Sequence, residues 1–356
     1  MTAVNRVAFD RLKSFIAEAF RMVGMPASDA EQVASLMAQA DLQGSDGHGV
    51  LRLPQYVKRI KAGGINLNPD IRVIIERPAS AVVDGDNGMG HLVVSRVVEV
   101  AMNKARQCGV AWVGARGSNH AGPASLYARM PMQQDMIGLY FAVGNANHLP
   151  PWGGADMLLS TNPIAAGIPA SHEPPVVLDM ATTVAAYGKV KSKAKAGEMM
   201  PEGWMIDRKG KPLTDPSRAD EGFLLPIGGH KGAGLALVVG LLAGSLQGAA
   251  MGKEVIDFNK DHRSKTNTGQ AILVIDLNAF GEPGVFKAGV DTLIRDIRSS
   301  ERLDGVERIW LPGEQSHWRR QQYLQEGIPI SAGVAKDLLS LSDELGIEPL
   351  IQVSAV

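Results

Sequence analysis

Between Phe9 and Val23 apolar residues recur at helical spacing: Leu12, Phe15, Ile16, Ala19, Phe20 and Val23, with Asp10, Lys13 and Glu18 between them. This pattern predicts an amphipathic helix, stopped by Gly24 and Pro26. The segment Ser28 to Glu31, "SDAE", has the form of a capping box for a second helix, with Val33, Leu36, Met37 and Ala40 inward. A loop, "DLQGSDGHGV", leads to a third helix from Pro54 to Ala62, closed by Gly63 and Gly64. From residue 71 the period changes. "IRVII", "SAVVDG", "GVAWVGA", "IGLYFAVG", "PPVVLDM" and "QAILVID" read as strands. Helical stretches lie between them, which predicts an α/β core. "RKGKPLTDPSRADEG" reads as a polar surface excursion, and "NANHLPPWGGADMLLSTNPIAAGIPA" as a shaped loop. Near the end, Val334, Leu338, Leu341 and Leu345 share one helix face.

The stretch "GGHKGAGLALVVGLLAGSLQGAA" has no charge between Lys231 and Lys253. Roughly 20 apolar residues can span a bilayer. This run contains Ser245, Gln247 and several glycines, however, and lacks an aromatic belt. It reads instead as a buried helix, Gly232 to Ala250, of a water-soluble domain. The amphipathic opening excludes a cleavable signal peptide.

Composition changes the picture in three places. A chain of 356 residues, 45% hydrophobic, is long enough for a large core with two or three subdomains. A net charge of −1 argues against a nucleic-acid footprint. Cys108 is the only cysteine, so no internal disulfide or thiolate metal site forms, and a cytoplasmic setting is the default. No spacing of His and Asp supports any other metal site.

The glycine loop of "VVDGDNGMGHLVV" fails the G-x-G-x-x-G order, because Val93 stands where a third glycine belongs. A tight turn is the better reading there. In "GGHKGAG", backbone N–H groups at a helix start and the charge of Lys231 would suit an anion, though a capped helix with a solvated lysine fits equally. His48 stands between Gly47 and Gly49, four residues before Arg52. Histidine can move a proton near neutral pH, and arginine can hold a carboxylate. His120 and Asp179 each follow a predicted strand, where α/β sites are usually built. Taken singly, each of these residues could equally be surface or turn polarity.

Six segments in order, "GHGVLRLPQYV", "RGSNHAG", "PPWGGADMLLSTNPIA", "LDMATT", "LPIGGHKGAGL" and "LPGEQS", together resemble one family. It is the malate/L-lactate dehydrogenase family of the L-sulfolactate dehydrogenase type, and the resemblance runs from about residue 8 to 345. It implies a homodimeric oxidoreductase using NAD or NADP in a non-Rossmann, L-sulfolactate dehydrogenase-like fold. The implied architecture is a mixed-sheet α/β body (69–315), beside an all-helical subdomain (1–68) completed by residues 316–356. The resemblance implies His48 as first choice for the proton carrier, with His120 a rival; Asp179 is a third catalytic candidate from its place after a strand. It implies Arg52 and Thr161 toward a small carboxylate substrate. Asn162, Asp179, Met180, Ala181, Thr182, His230, Lys231, Gly313 and Glu314 are implied toward the cofactor. The expected reaction moves a hydride between nicotinamide and C2 of a 2-oxo or 2-hydroxy acid. Reduction of a cyclic imino acid such as piperideine-2-carboxylate is the alternative, and an idle cofactor-binding protein another. One departure stands out: Gly47 occupies a position where the family usually has serine.

Overall fold

The computed structural model describes residues 5–351; the last five residues of the expected terminal segment 316–356 lie outside them. β1 (Asn5–Val7) leads into α1 (Phe9–Met22), α2 (Ala27–Leu42) and α3 (Leu53–Lys61). The pair β2 (Arg72–Arg77) and β3 (Ser80–Asp84) precedes α4 (Gly90–Cys108), β4 (Val110–Ser118), α5 (Ser125–Arg129) and β5 (Met136–Ala142). Next come β6 (Asn147–Leu149), β7 (Leu159–Ser160), β8 (Ile164–Ile168), β9 (Val176–Met180) and α6 (Tyr187–Ala196). After β10 (Met205–Asp207) and β11 (Gly222–Leu224), α7 (His230–Ala243) is followed by β12 (Thr268–Asp276). The chain closes with α8 (Pro283–Ser299), α9 (Glu314–Glu326), β13 (Ile328–Ile330) and α10 (Ala332–Leu345).

Among the described residues, seven strands form one mixed sheet in the order β2-β3-β4-β12-β5-β8-β9. Only the β3–β4 pairing in it is parallel. The six strands read from the β-branched runs are all in this sheet. β8 is the seventh, and it lies inside the segment read as a shaped loop, as do β6 and β7. Its sequence, "IAAGI", is built of small residues for a packing reason. An ideal Cβ on Gly167 would fall 2.2 Å from the Ala128 carbonyl oxygen, and one on Gly138 of β5 2.7 Å from it. The short helix α5 therefore rests directly on the sheet where two strands lack side chains.

Helices α1, α2, α3 and α10 share one apolar core, including Leu12, Phe15, Phe20, Met37, Tyr56 and Leu338. Burying a large side chain of this kind contributes roughly 1.5–3 kcal/mol. Ser331 caps α10 by accepting from the Val334 N–H. A two-stranded antiparallel ribbon, β1 with β13, joins the two ends of the chain within this core. The capping box expected at Ser28 is absent. α2 opens two residues earlier, with Pro26 at the cap position and Ala27 first in the helix, and has no side-chain cap. Met25 before it and Ala30 within it are both buried in the helical core, so apolar packing sets the entry. The polar excursion forms a small unit of its own, with β10 and β11 paired over Met205, Leu213 and Leu224.

α7 also differs from expectation. It ends at Ala243 rather than Ala250, and only part of its surface is covered: Leu237 is 46%, Val238 50% and Leu241 46% exposed. Ala236, Val239 and Gly240 face inward. Among the described residues, no helix is long and apolar enough to cross a membrane.

Candidate active site

The loop carrying His48 is held from below by a buried carboxylate. Asp41, near the end of α2, accepts from the Val50 N–H at 2.7 Å. An ideal Cβ on Gly49 would land 2.1 Å from that carboxylate, so glycine is required there for the turn to close. Burial raises the Asp41 carboxyl well above its ordinary range, opposed by the Val50 bond. A single 3-10 turn, Val50–Arg52, then passes into α3. The steps of four from His48 to Arg52 to Tyr56 put these three side chains at one end of that helix.

His120 follows β4. Its ring stacks near-parallel on His48, with centroids 5.4 Å apart, and on Phe258, at 5.0 Å. Nδ1 of His120 lies 2.5 Å from the Tyr56 hydroxyl and receives the Gly122 N–H at 3.4 Å. A backbone N–H can only donate, so Nδ1 is the acceptor and the Tyr56 O–H donates to it. Neutral His120 therefore carries its proton on Nε2. Burial, with Arg52 opposing, raises the Tyr56 hydroxyl well above its usual range, which keeps it a donor. Burial also lowers His120 well below an ordinary histidine, reinforced by His48, Arg52 and His91. His48 is pushed to about 4 by burial and by Arg52.

Arg52 is half-buried. Its Nε donates to the Gly47 carbonyl at 2.8 Å and its Nη1 to Asn259 Oδ1 at 3.3 Å, while the guanidinium lies 5.6 Å from the Phe258 ring centroid. Among the described residues it has no carboxylate partner within ion-pair distance. The loop bearing Phe258 and Asn259 is pinned to α3. Gln55 donates to the Phe258 carbonyl at 2.5 Å, and buried Arg59 donates to the carbonyls of Asp261 and Ser264. Tyr56 was within reach of the sequence, one turn beyond Arg52. Phe258 was not, because well over a hundred residues separate it from His120, on which it stacks.

The other expected residues gather in two places. Thr182 donates through N–H and Oγ1 to the Thr161 carbonyl, at 2.9 and 3.0 Å. The Thr182 carbonyl accepts from Ile227, just before Gly228 and Gly229. Both glycines have left-handed φ, 58° and 66°, and they lift the chain into α7 with no side-chain cap at its start. Lys231 is exposed there, and His230 meets the Trp152 ring edge-on at 6.2 Å. Asn162 is fully buried. It donates to the Ala236 carbonyl at 2.8 Å and accepts from Gly144, tying α7 to the sheet.

The second place is a recess of about 140 Å³, lined in part by Ser45, Ser125, Arg129, Asp179 and Gly313. Asp179, at the end of β9 and open to solvent, accepts from the Ser125 N–H at 2.9 Å. Crowding by protein raises its carboxyl, while Ser125 and Arg129 lower it. Met180 continues β9 opposite Ile164, and Ala181 follows it, half-buried. Gly313, at φ 83°, abuts Val177 of β9. Glu314 is 2% exposed. Burial alone would raise its carboxyl, but Leu311 N–H, Arg308 and Arg298 hold it below its usual range. The recess borders both histidine loops, through Ser45 before His48 and Ser125 after His120. Gly47 is exposed, and nothing lies within 4 Å of an ideal Cβ on it, so a serine would fit there.

These features suit a dinucleotide. An uncapped helix start with permissive glycines and a lysine accommodates phosphate, and a recess with a carboxylate and three serines accommodates a sugar. Among the described residues, no cluster of three or more His, Cys, Asp or Glu could hold a metal ion.

Comparison with known proteins identifies the family of the chain. The family profile described as malate/L-lactate dehydrogenase matches residues 7–339. A malate dehydrogenase of Pyrococcus horikoshii is 39% identical over 354 residues, covering 97% of each chain. The L-sulfolactate dehydrogenase of Methanocaldococcus jannaschii is 37% identical, over 94% of this chain and 96% of that protein. Its solved structure superposes with a TM-score of 0.89, covering 97% of this chain and 98% of that one. The solved delta1-piperideine-2-carboxylate reductase from Pseudomonas syringae gives 0.83 at 29% identity, over 95% and 99% of the two chains. Other relatives carry NAD(+) or NADP(+) in their names. The chain belongs to the malate/L-lactate dehydrogenase family.

Proposed function

We propose that the protein oxidises a small 2-hydroxy acid, or reduces the matching 2-oxo acid, with NAD or NADP. The observation that carries this reading is Arg52. It is a recessed guanidinium held only by neutral groups, beside a histidine whose Nδ1 is engaged by Tyr56 and whose Nε2 is left free. Arg52 receives the substrate carboxylate and so brings the C2 hydroxyl to the histidine pair. The nicotinamide, when bound, supplies the hydride chemistry. In oxidation, neutral His120 shifts its proton to Nδ1 as the Tyr56 oxygen turns to accept there, and the freed Nε2 takes the hydroxyl proton while the hydrogen on C2 departs with its electron pair. The new imidazolium is stabilised on the Phe258 face. Reduction runs the same transfers backward. His48 stacks on His120 and completes the wall of the site.

The start of α7 and the recess at Asp179 would hold the cofactor: Lys231 and the first-turn N–H groups its phosphates, and Asp179 a sugar hydroxyl. The half-exposed apolar face of α7 supports a homodimer in which this face is covered. Lys231→Ala is expected to weaken cofactor binding about tenfold or more, the scale of a lost charged hydrogen bond. The Tm of the protein alone should barely move, because Lys231 is exposed. Unchanged cofactor affinity would remove Lys231 from the site.

The reading is tested by following absorbance at 340 nm with NAD and NADP against malate, sulfolactate, lactate and ureidoglycolate, and with the reduced cofactors against piperideine-2-carboxylate. Turnover confined to the cyclic imine would overturn it in favour of imine reduction, the reading supported by the piperideine-2-carboxylate reductase likeness.

A further inference from the structure

His91, the second residue of α4, is fully buried, and neither ring nitrogen has a hydrogen-bond partner. Buried polar groups are seldom left so, and each exception calls for a reason. Its surroundings show that pairing is otherwise the rule here. Nearby Asn119 donates to the Asn87 and Gly88 carbonyls, and Thr266 donates to the Ser118 carbonyl. A residue needed only to fill space would be better served by leucine or phenylalanine.

The position of His91 is specific. α4 begins against the loop that carries His120, since an ideal Cβ on Gly90 would fall 2.5 Å from the His120 carbonyl oxygen. The His91 ring meets Tyr56 edge-on at 5.7 Å, and Tyr56 is the residue that fixes His120. Gly122, at φ 80°, keeps side-chain atoms away from the place where His91 Nε2 and the His48 carbonyl draw together. An ideal Cβ there would lie 3.2 Å from the first and 3.8 Å from the second. Nδ1 of His48 is likewise buried and without a partner. Three ring nitrogens of these two histidines are therefore buried and unpaired, and their residues meet beside Gly122.

We infer that His91 and Nδ1 of His48 form a buried hydrogen-bonding site for water that fixes the tautomer of His48. His91 is thus a positioning residue for the histidine pair, an inference that rests on the dehydrogenase reading of that pair. The groups facing His91 are Tyr56 from α3, His48 from the loop before Val50, and His120 from the loop after β4. Burial and the His48 charge push His91 down to about 3, so it stays a neutral donor and acceptor throughout the working range.

The test uses full-length protein labelled with 15N-histidine, whose long-range proton–nitrogen spectra report the tautomer of each ring. In the wild type, His48 is expected to show one neutral tautomer between pH 6 and 9. In His91→Leu it should become a mixture, and kcat/KM should fall between about 10- and 10²-fold, the scale of a small misplacement. The histidine limb of the pH–rate profile should move, while cofactor affinity holds. His91→Gln keeps a donor and an acceptor and should restore the single tautomer and most of the activity; it also serves if His91→Leu fails to fold. A wild-type His48 tautomer in His91→Leu, or a mixed one in the wild type, overturns the inference. If His48→Gln instead keeps full turnover, the place of His48 in the wall of the site falls, and the tautomer spectra still decide the role of His91.

Discussion

Replacing His120 by glutamine is expected to lower kcat by about 10²–10⁴-fold, the usual loss for a general acid or base, with cofactor affinity preserved. Glutamine can fill much of the space between Phe258 and His48 but cannot take up a proton. The pH dependence gives the sharper signature. Burial, then His48 and Arg52, hold His120 below the ordinary histidine range, so it is neutral at pH 7. Oxidation needs that neutral base, and its rate should fall only as pH drops through the lowered pKa. Reduction needs the protonated form, and its rate should fall as pH rises through the same point. Both limbs should vanish in the variant. Should His48→Gln abolish them instead, with His120→Gln changing only KM, the two histidines exchange roles.

Arg52→Lys is expected to reduce kcat/KM for 2-hydroxy acids by about 10- to 10²-fold, matching the ~1.5–3 kcal/mol of a hydrogen bond to a charged group. The substitution keeps the charge and loses the planar fork. The fork is aimed by three contacts: the Gly47 carbonyl at Nε, Asn259 at Nη1 and the Phe258 ring face. A lysine ammonium cannot satisfy these and still offer two parallel donors to a carboxylate. The loss should appear mainly in KM and leave cofactor affinity unchanged. Wild-type KM for every carboxylate tried would mean that Arg52 serves only to brace its loop.

The helices packed around the terminal core were legible because their apolar residues repeat at 3.6, and the six strands because they are rich in β-branched residues. β8 was hidden because the close approach of α5 selects alanine and glycine, which erases the strand signature. Ser28 misled because a local capping pattern lost to the burial of Met25 and Ala30. Within the site, His48, Arg52 and Tyr56 could be read from their steps of four along one helix end. The stack of Phe258 on His120, and the unpaired nitrogens of His91, depend on contacts between distant segments that no local pattern encodes. The exposed face of α7 was invisible for a different reason, since a helix apolar all round gives no hint of which side meets protein.

The position of β12 governs how the chain can reach its native state. This strand pairs with β4 on one side and β5 on the other, yet it is made more than a hundred residues after both. Until Thr268–Asp276 leaves the ribosome, the β2-β3-β4 and β5-β8-β9 halves can only wait side by side, each with an open edge. Such edges are templates for wrong pairing, and closure over so long a separation is slow. The loop bearing His120 springs from β4, so the reacting histidine cannot be seated until that late insertion. Catalytic competence should therefore be acquired in the final steps of folding, once β12 docks.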